Sequence, residues 1–253
     1  MVDSNKTVLV VTPHPDDAEG GAGGTIVKWA NEGNKIVLLV CTNGDKGTSD
    51  TSMPSDKLAE IREKEQLNAA KALGVSEVVF LREPDQGLDD NDRFREKVVR
   101  QIRKHKPEIV VTIDPNRPYI RHRDHYYCGR VTLDAVFPYA RDHKAFPEHL
   151  MEGLEPHKVQ EMYMFRSETP DFYVDITDTF EAKMDALYCH VSQMGRPREE
   201  GQVRSRERAA ETGKKALRVG RRVQVHQHWT LIGRFGFLCL ALSNVLFPPV
   251  IVF

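Results

Sequence analysis

Val8-Leu9-Val10-Val11-Thr12-Pro13-His14-Pro15-Asp16-Asp17 is the stretch that orders the rest of the chain. An unbroken valine-rich run over residues 7–13 suits a strand buried on both faces of a parallel sheet. An imidazole and two carboxylates follow it directly, and the glycines Gly20, Gly21, Gly23 and Gly24 come next, where the chain is expected to turn into a helix. Open α/β sheets bind ligands at this carboxyl edge. A second cluster, His122-Arg123-Asp124-His125, holds a similar position downstream.

Between and beyond these clusters, strand and helix patterns alternate. Helices are expected over 24–32 (closed by Gly33), 55–73 (Ser55 as N-cap, Gly74 past its end), 91–104, 124–136 and 180–191. Strands are expected over 35–42, 77–81, 108–113, 159–165 and 172–176. The alternation predicts an α/β fold, a Rossmann-like doubly wound and mainly parallel sheet with helices on both faces. A polar loop opens at Asn43-Gly44-Asp45-Lys46-Gly47, and no internal repeat is visible.

The 253 residues are enough for one well-packed domain with extras, and 40% hydrophobic with 29% charged residues is ordinary for a globular chain. A net charge of −1 gives no global field for nucleic acid, so no nucleic-acid partner is expected. The arginine-rich residues 196–222 are offset in part by Glu199, Glu200, Glu207 and Glu211, and read as a solvated helical face. Cys41, Cys128, Cys189 and Cys239 form no CxxC pair and fall in or beside apolar runs. Reduced thiols and a polar start that leads straight into a strand suggest a cytoplasmic protein without a signal peptide. Residues 235–253 are nearly all apolar and follow several arginines, a composition open to a tail anchor, a docked end or an aberrant end.

The glycine cluster lacks GxGxxG spacing, and Asp16 and Asp17 would repel a phosphate, which argues against a nucleotide site. A metal suits these residues better. His14 and Asp17 are three apart in a turn, so both can reach one ion, and one or both of His122 and His125 can reach the same point. Two nitrogens, one carboxylate oxygen and open positions are the usual arrangement of catalytic zinc. Asp16 is then the spare carboxylate, placed to take a proton from water and return it. Taken singly, each aspartate could instead be a helix cap.

The two clusters resemble the signature motifs of the LmbE-like, PIG-L-type N-acetylglucosaminyl deacetylases. The likeness extends through Thr42-Asn43-Gly44-Asp45, Arg62-Glu63-Lys64-Glu65, Leu73-Gly74-Val75, Val174-Asp175-Ile176-Thr177 and His190-Val191-Ser192-Gln193. The resemblance implies a zinc-dependent N-deacetylase acting on a GlcNAc-type amino-sugar conjugate. It implies His14, Asp17 and His125 as zinc ligands, with another divalent metal such as Fe2+ as the alternative. It implies Asp16 as general base, and His122 as the group that protonates the amine or steadies the oxyanion. Arg62 would contact substrate hydroxyls or phosphate, and Asp114 and Arg117 would line the pocket. His190 reads as structural. The competing expectations are hydrolysis of another amide or ester, and a carbohydrate-binding module without turnover. The likeness predicts one deacetylase domain over 1–213 and an atypical tail over 214–253. That tail departs from the family pattern, and membrane contact would come from it; a homo-oligomer is compatible with the rest.

Overall fold

The computed structural model describes residues 5–119 and 121–216, so the apolar end, Cys239 and nearly all of the expected tail lie outside the described residues. Five strands form one sheet in the order β3-β2-β1-β4-β5, and every pairing is parallel. They are β1 (Thr7–Thr12), β2 (Lys35–Thr42), β3 (Glu77–Glu83), β4 (Ile109–Ile113) and β5 (Glu161–Phe165). Val8 to Val11 on β1 and Ile36 to Cys41 on β2 are wholly buried, as residues covered on both sheet faces must be. Full burial of each Val, Leu or Ile side chain is worth roughly 1.5–3 kcal/mol, so these two strands anchor the fold.

The helices are α1 (Asp17–Asn31), α2 (Ser55–Leu73), α3 (Asp92–His105), α4 (Arg123–Asp134), α5 (Glu148–Met151), α6 (Phe180–Leu187) and α7 (Arg198–Ala216). α1, α2 and α6 pack on one another, and α3 packs on α4, giving two helical layers about the sheet. Local chemistry sets several ends. Gly74 closes α2 in the left-handed conformation (φ +73°), and the Asn91 side chain accepts the Phe94 N–H at 2.9 Å to open α3. Among the described residues no helix is long and apolar enough to cross a membrane. α7 is largely exposed, with Arg198 paired to Asp185 and Arg206 to Glu181.

Three expected elements differ, the first being α6, which stops at Leu187, short of the expected residue 191. α1 starts at Asp17, not at Gly24, so the glycine cluster lies inside a helix. Glycine costs a helix about 1 kcal/mol per residue, but here close packing outweighs propensity. A Cβ at Gly21 would lie 2.3 Å from the Phe165 ring, and one at Gly24 would lie 2.7 Å from Ile176. The glycines therefore let α1 lie against β5 and the chain that follows it. Residues 172–176 do not form a strand; apart from a single bridge at Val174 they run irregularly, and they set Ile176 against Gly24.

Candidate metal centre and active site

The strand order puts the site where it is. β1 is flanked by β2 on one side and β4 on the other, so chain connections leave it in opposite directions at the β1/β4 boundary. Such a switch point opens a crevice at the carboxyl ends of the strands. His14 leaves β1 there, and α4, with the second histidine cluster at its start, follows β4. Residues more than a hundred positions apart thus become neighbours: the His14 and His122 rings are 4.7 Å apart, His14 and His125 5.3 Å, and His122 and His125 5.2 Å.

One oxygen organises the cluster. Asp17 Oδ2 is 3.0 Å from His14 Nδ1 and 3.0 Å from His125 Nε2, while Asp17 Oδ1 is 2.8 Å from the Arg166 guanidinium. Burial would raise the Asp17 carboxyl, but His125, His14 and Arg166 outweigh it and hold it well below the usual carboxylate range. The other face of His14 is also engaged, its Nε2 lying 3.1 Å from Asp85 and 3.1 Å from Asp124. Burial disfavours charge on His14, yet hydrogen bonds to Asp124, Asp17 and Asp85 prevail and push it up to about 11. Burial likewise opposes ionisation of Asp85, and the His14 bond pulls its carboxyl down to about 2.

This donor set fits a divalent cation. Donor atoms of His14, His122 and His125 lie within 4.8 Å of one another, as do those of His14, Asp85, His122 and Asp124. Neither grouping contains Asp17, so the donor-atom distances bring His122, not Asp17, together with His14 and His125. Both His14 and His125 already meet on one Asp17 oxygen, whereas His122 Nδ1 accepts the Asp124 backbone N–H at 3.2 Å as the N-cap of α4. With Nδ1 so engaged, the neutral His122 ring carries its proton on Nε2. Burial, reinforced by repulsion from His14, pushes its pKa down and keeps it neutral. Asp124, wholly buried, holds His14 and also accepts the Gln86 and Leu88 N–H groups at 2.6 and 3.1 Å. A carboxylate behind a histidine in this way fixes ring orientation and tautomer when the other nitrogen ligates a metal.

Asp16 makes no bond to His14 or His125 among the described contacts. Its Oδ2 is 3.1 Å from Arg62, and its backbone stands at φ +102°. Burial and the adjacent Asp17 charge raise its carboxyl to about 6, with Arg62 pulling the other way. Arg62 itself is only 3% exposed, and it donates to the carbonyls of Gly44 (2.9 Å) and Pro15 (2.6 Å) as well as to Asp16. Its guanidinium thus faces Asp16 and the polar loop, not the protein surface. Asp114 is buried just past β4, where its Oδ1 accepts the Asn116 N–H at 2.8 Å, and half-buried Arg117 pairs with Glu168 at 3.0 Å. The Asp114 side-chain bond is local, Arg117 reaches the chain after β5, and among the described residues neither joins the His14 cluster. Sequence reasoning overlooked Asp85 and Arg166 and saw Asp124 only as a cap. Asp85 and Arg166 sit just past β3 and β5, at the edge that carries His14, so strand ends were the signal that pointed to them.

A sequence profile of the PIG-L family, described as GlcNAc-PI de-N-acetylase, matches residues 9–136. The chain is 37% identical over 188 residues to the diacetylchitobiose deacetylase of Thermococcus kodakarensis, covering 74% of this chain and 70% of that one. It is 34% identical to a 1D-myo-inositol 2-acetamido-2-deoxy-alpha-D-glucopyranoside deacetylase of Thermomonospora curvata, covering 64% of this chain and 61% of that one. In three dimensions it resembles the N,N'-diacetylchitobiose deacetylase of Pyrococcus horikoshii, with a TM-score of 0.79 and 32% identity over 83% of this chain and 79% of the other.

Proposed function

The chain belongs to the PIG-L family, and from that premise we propose that it is a metal-dependent hydrolase that removes the N-acetyl group from a GlcNAc-type amino-sugar conjugate. The observation that carries this reading is the meeting of His14 and His125 on one Asp17 oxygen, with Asp16 beside them and outside the ligand set. The substrate class is that of the deacetylases named above, which act on diacetylchitobiose and on an inositol-linked acetamido sugar.

His14, Asp17 and His125 would hold the ion, zinc by preference and Fe2+ as the alternative. When bound, such an ion supplies positive charge that lowers the pKa of water to about 7 and polarises an acyl oxygen. Asp16 is the base: its carboxyl, raised to about 6, is ionised at neutral pH yet basic enough to take a proton. It removes a proton from the attacking water, whose oxygen bonds to the acetamide carbon. His122 Nε2–H donates to the oxyanion that develops, a role that suits a neutral imidazole with its other nitrogen engaged by a backbone N–H. The proton held by Asp16 goes to the departing nitrogen, the C–N bond breaks, and acetate and the free amine result. Arg62 keeps Asp16 ionised and aimed, and its expected contact with sugar hydroxyls gives way to this role. Asp114 and Arg117 are assigned to the shape of the pocket wall after β4. The buried free thiols Cys41 and Cys128 support a reducing, cytoplasmic setting.

Acetate release tests the reading. Zinc-loaded protein should liberate acetate from N-acetylglucosamine oligomers or glycosides and not from N-acetylated peptides. Chelation should abolish release and zinc should restore it. Release from acetyl-peptides alone would place the enzyme with another amide class, and no release from any acetamide would sink the proposal.

A further inference from the structure

The assignment of Asp16 as base leaves open what holds it in place. A φ of +102° is strained for a residue with a side chain, and strain of this kind persists only where neighbours enforce it. The Asp16 N–H points at Gln66 Oε1, 3.4 Å away. Gln66 lies inside α2 and is 0% exposed; its Nε2 donates to Glu19 Oε1 at 2.6 Å. Glu19, also 0% exposed, turns its second oxygen to His190 Nε2 at 3.6 Å, and neither of these atoms has a hydrogen-bond partner among the described residues. The His190 segment is itself clamped from outside. The Ser192 N–H and hydroxyl donate to Glu65 at 2.7 and 2.6 Å, and Gln193 Nε2 donates to the Gly47 carbonyl at 3.0 Å.

An amide, a carboxylate and an imidazole thus fill a place in the core between α1, α2 and the end of α6. Apolar side chains would fill it without the several kcal/mol that buried polar and charged groups cost. Packing alone does not explain them, but their alignment behind the peptide of Asp16 does. We propose that Gln66, Glu19 and His190 are positioning residues. Gln66 and Glu19 form a hydrogen-bonded relay, backed by His190 at 3.6 Å without a hydrogen bond, that holds the Asp16 peptide in its left-handed conformation and so aims the carboxylate, while Arg62 grips it from the side. This rests on the reading of Asp16 as the base.

Three variants of the full, zinc-loaded chain test it: Gln66→Met, which keeps size and loses the acceptor; His190→Leu; and the swap Glu19→Gln with Gln66→Glu, which keeps net charge and reverses one hydrogen bond. The readouts are kcat and KM for acetate release, zinc affinity by chelator competition, and hydrogen exchange of the Asp16 amide by NMR. Gln66→Met should lower kcat by about 10–100-fold, since small misalignments of a reacting group cost that much. KM and zinc affinity should stay within about twofold, and exchange of the Asp16 amide should quicken by about tenfold. His190→Leu should give the same split with a smaller loss, and the swap should recover most of the kcat that Gln66→Met loses. Unchanged kcat and unchanged Asp16 exchange in Gln66→Met would overturn the relay, as would a loss confined to KM or zinc affinity. If Gln66→Met fails to fold, the swap and His190→Leu decide by the same readouts. A wild-type protein without deacetylase activity would defeat the functional reading alone, because Asp16 exchange still tests the relay.

Discussion

Replacing Asp16 by Asn should make the metal-free protein more stable and the metal-loaded protein far slower. Burial and the Asp17 charge raise the Asp16 carboxyl from 3.8 to about 6, net of the opposing pull of Arg62. A rise of about two pH units corresponds to roughly 3 kcal/mol against the charged form in the folded state. The folded pKa lies above the unfolded one, so the native state binds more protons between pH 3.8 and about 6. Stability therefore falls as pH rises through that window, and the full penalty stands above it. With 23% of the side chain still in water, the gain from a neutral Asn should be about 1–3 kcal/mol at pH 7.5, vanishing as pH falls towards 4. Asn also tolerates a left-handed backbone better than most residues. Urea unfolding of wild type and variant at the two pH values measures the stability difference. Loss of stability at pH 7.5, or an equal gain at both pH values, would refute the electrostatic reasoning. The same substitution should cut kcat by about 10²–10⁴-fold, the usual contribution of a general base, and a fully active variant would remove Asp16 from that role.

Other perturbations probe separate parts of the site. Asp124→Asn should weaken zinc binding by about 10–100-fold in a chelator competition, because His14 loses the carboxylate that orients it. Zinc uptake near pH 7 should release about one proton. In the metal-free chain burial works against a charged His14, but its bonds to Asp124, Asp17 and Asp85 hold the proton up to about pH 11. Zinc affinity should therefore rise with pH, and calorimetry in buffers of different ionisation enthalpy would count the proton. Gly21→Ala should destabilise by about 1–3 kcal/mol in urea despite alanine's better helix propensity, since its Cβ would meet the Phe165 ring at 2.3 Å.

Much of this was legible in the chain itself. The apolar runs at Val8–Val11 and Val37–Val40 can only be satisfied by burial on both faces, and each histidine cluster follows the strand it was expected to follow. Sequence distance hides the strand order β3-β2-β1-β4-β5, which brings those clusters together, and with it the partners Asp85 and Arg166 from β3 and β5. α1 starts earlier than propensity predicts because glycine's low helix propensity is a local signal, whereas Phe165 and Ile176 come from more than a hundred residues away. The setting of Arg62 was hidden for the same reason. A guanidinium expected to reach substrate is turned inward, where the carbonyls of Pro15 and Gly44 accept from it.

X-ray absorption at the zinc edge, on protein loaded with one equivalent, bears most directly on the claim that the two clusters share one ion. The expected first shell has two imidazoles and oxygen donors at about 2.0–2.1 Å, reduced to one imidazole in His125→Ala. A shell with a single imidazole in the wild type, or one that His125→Ala leaves unchanged, would contradict it.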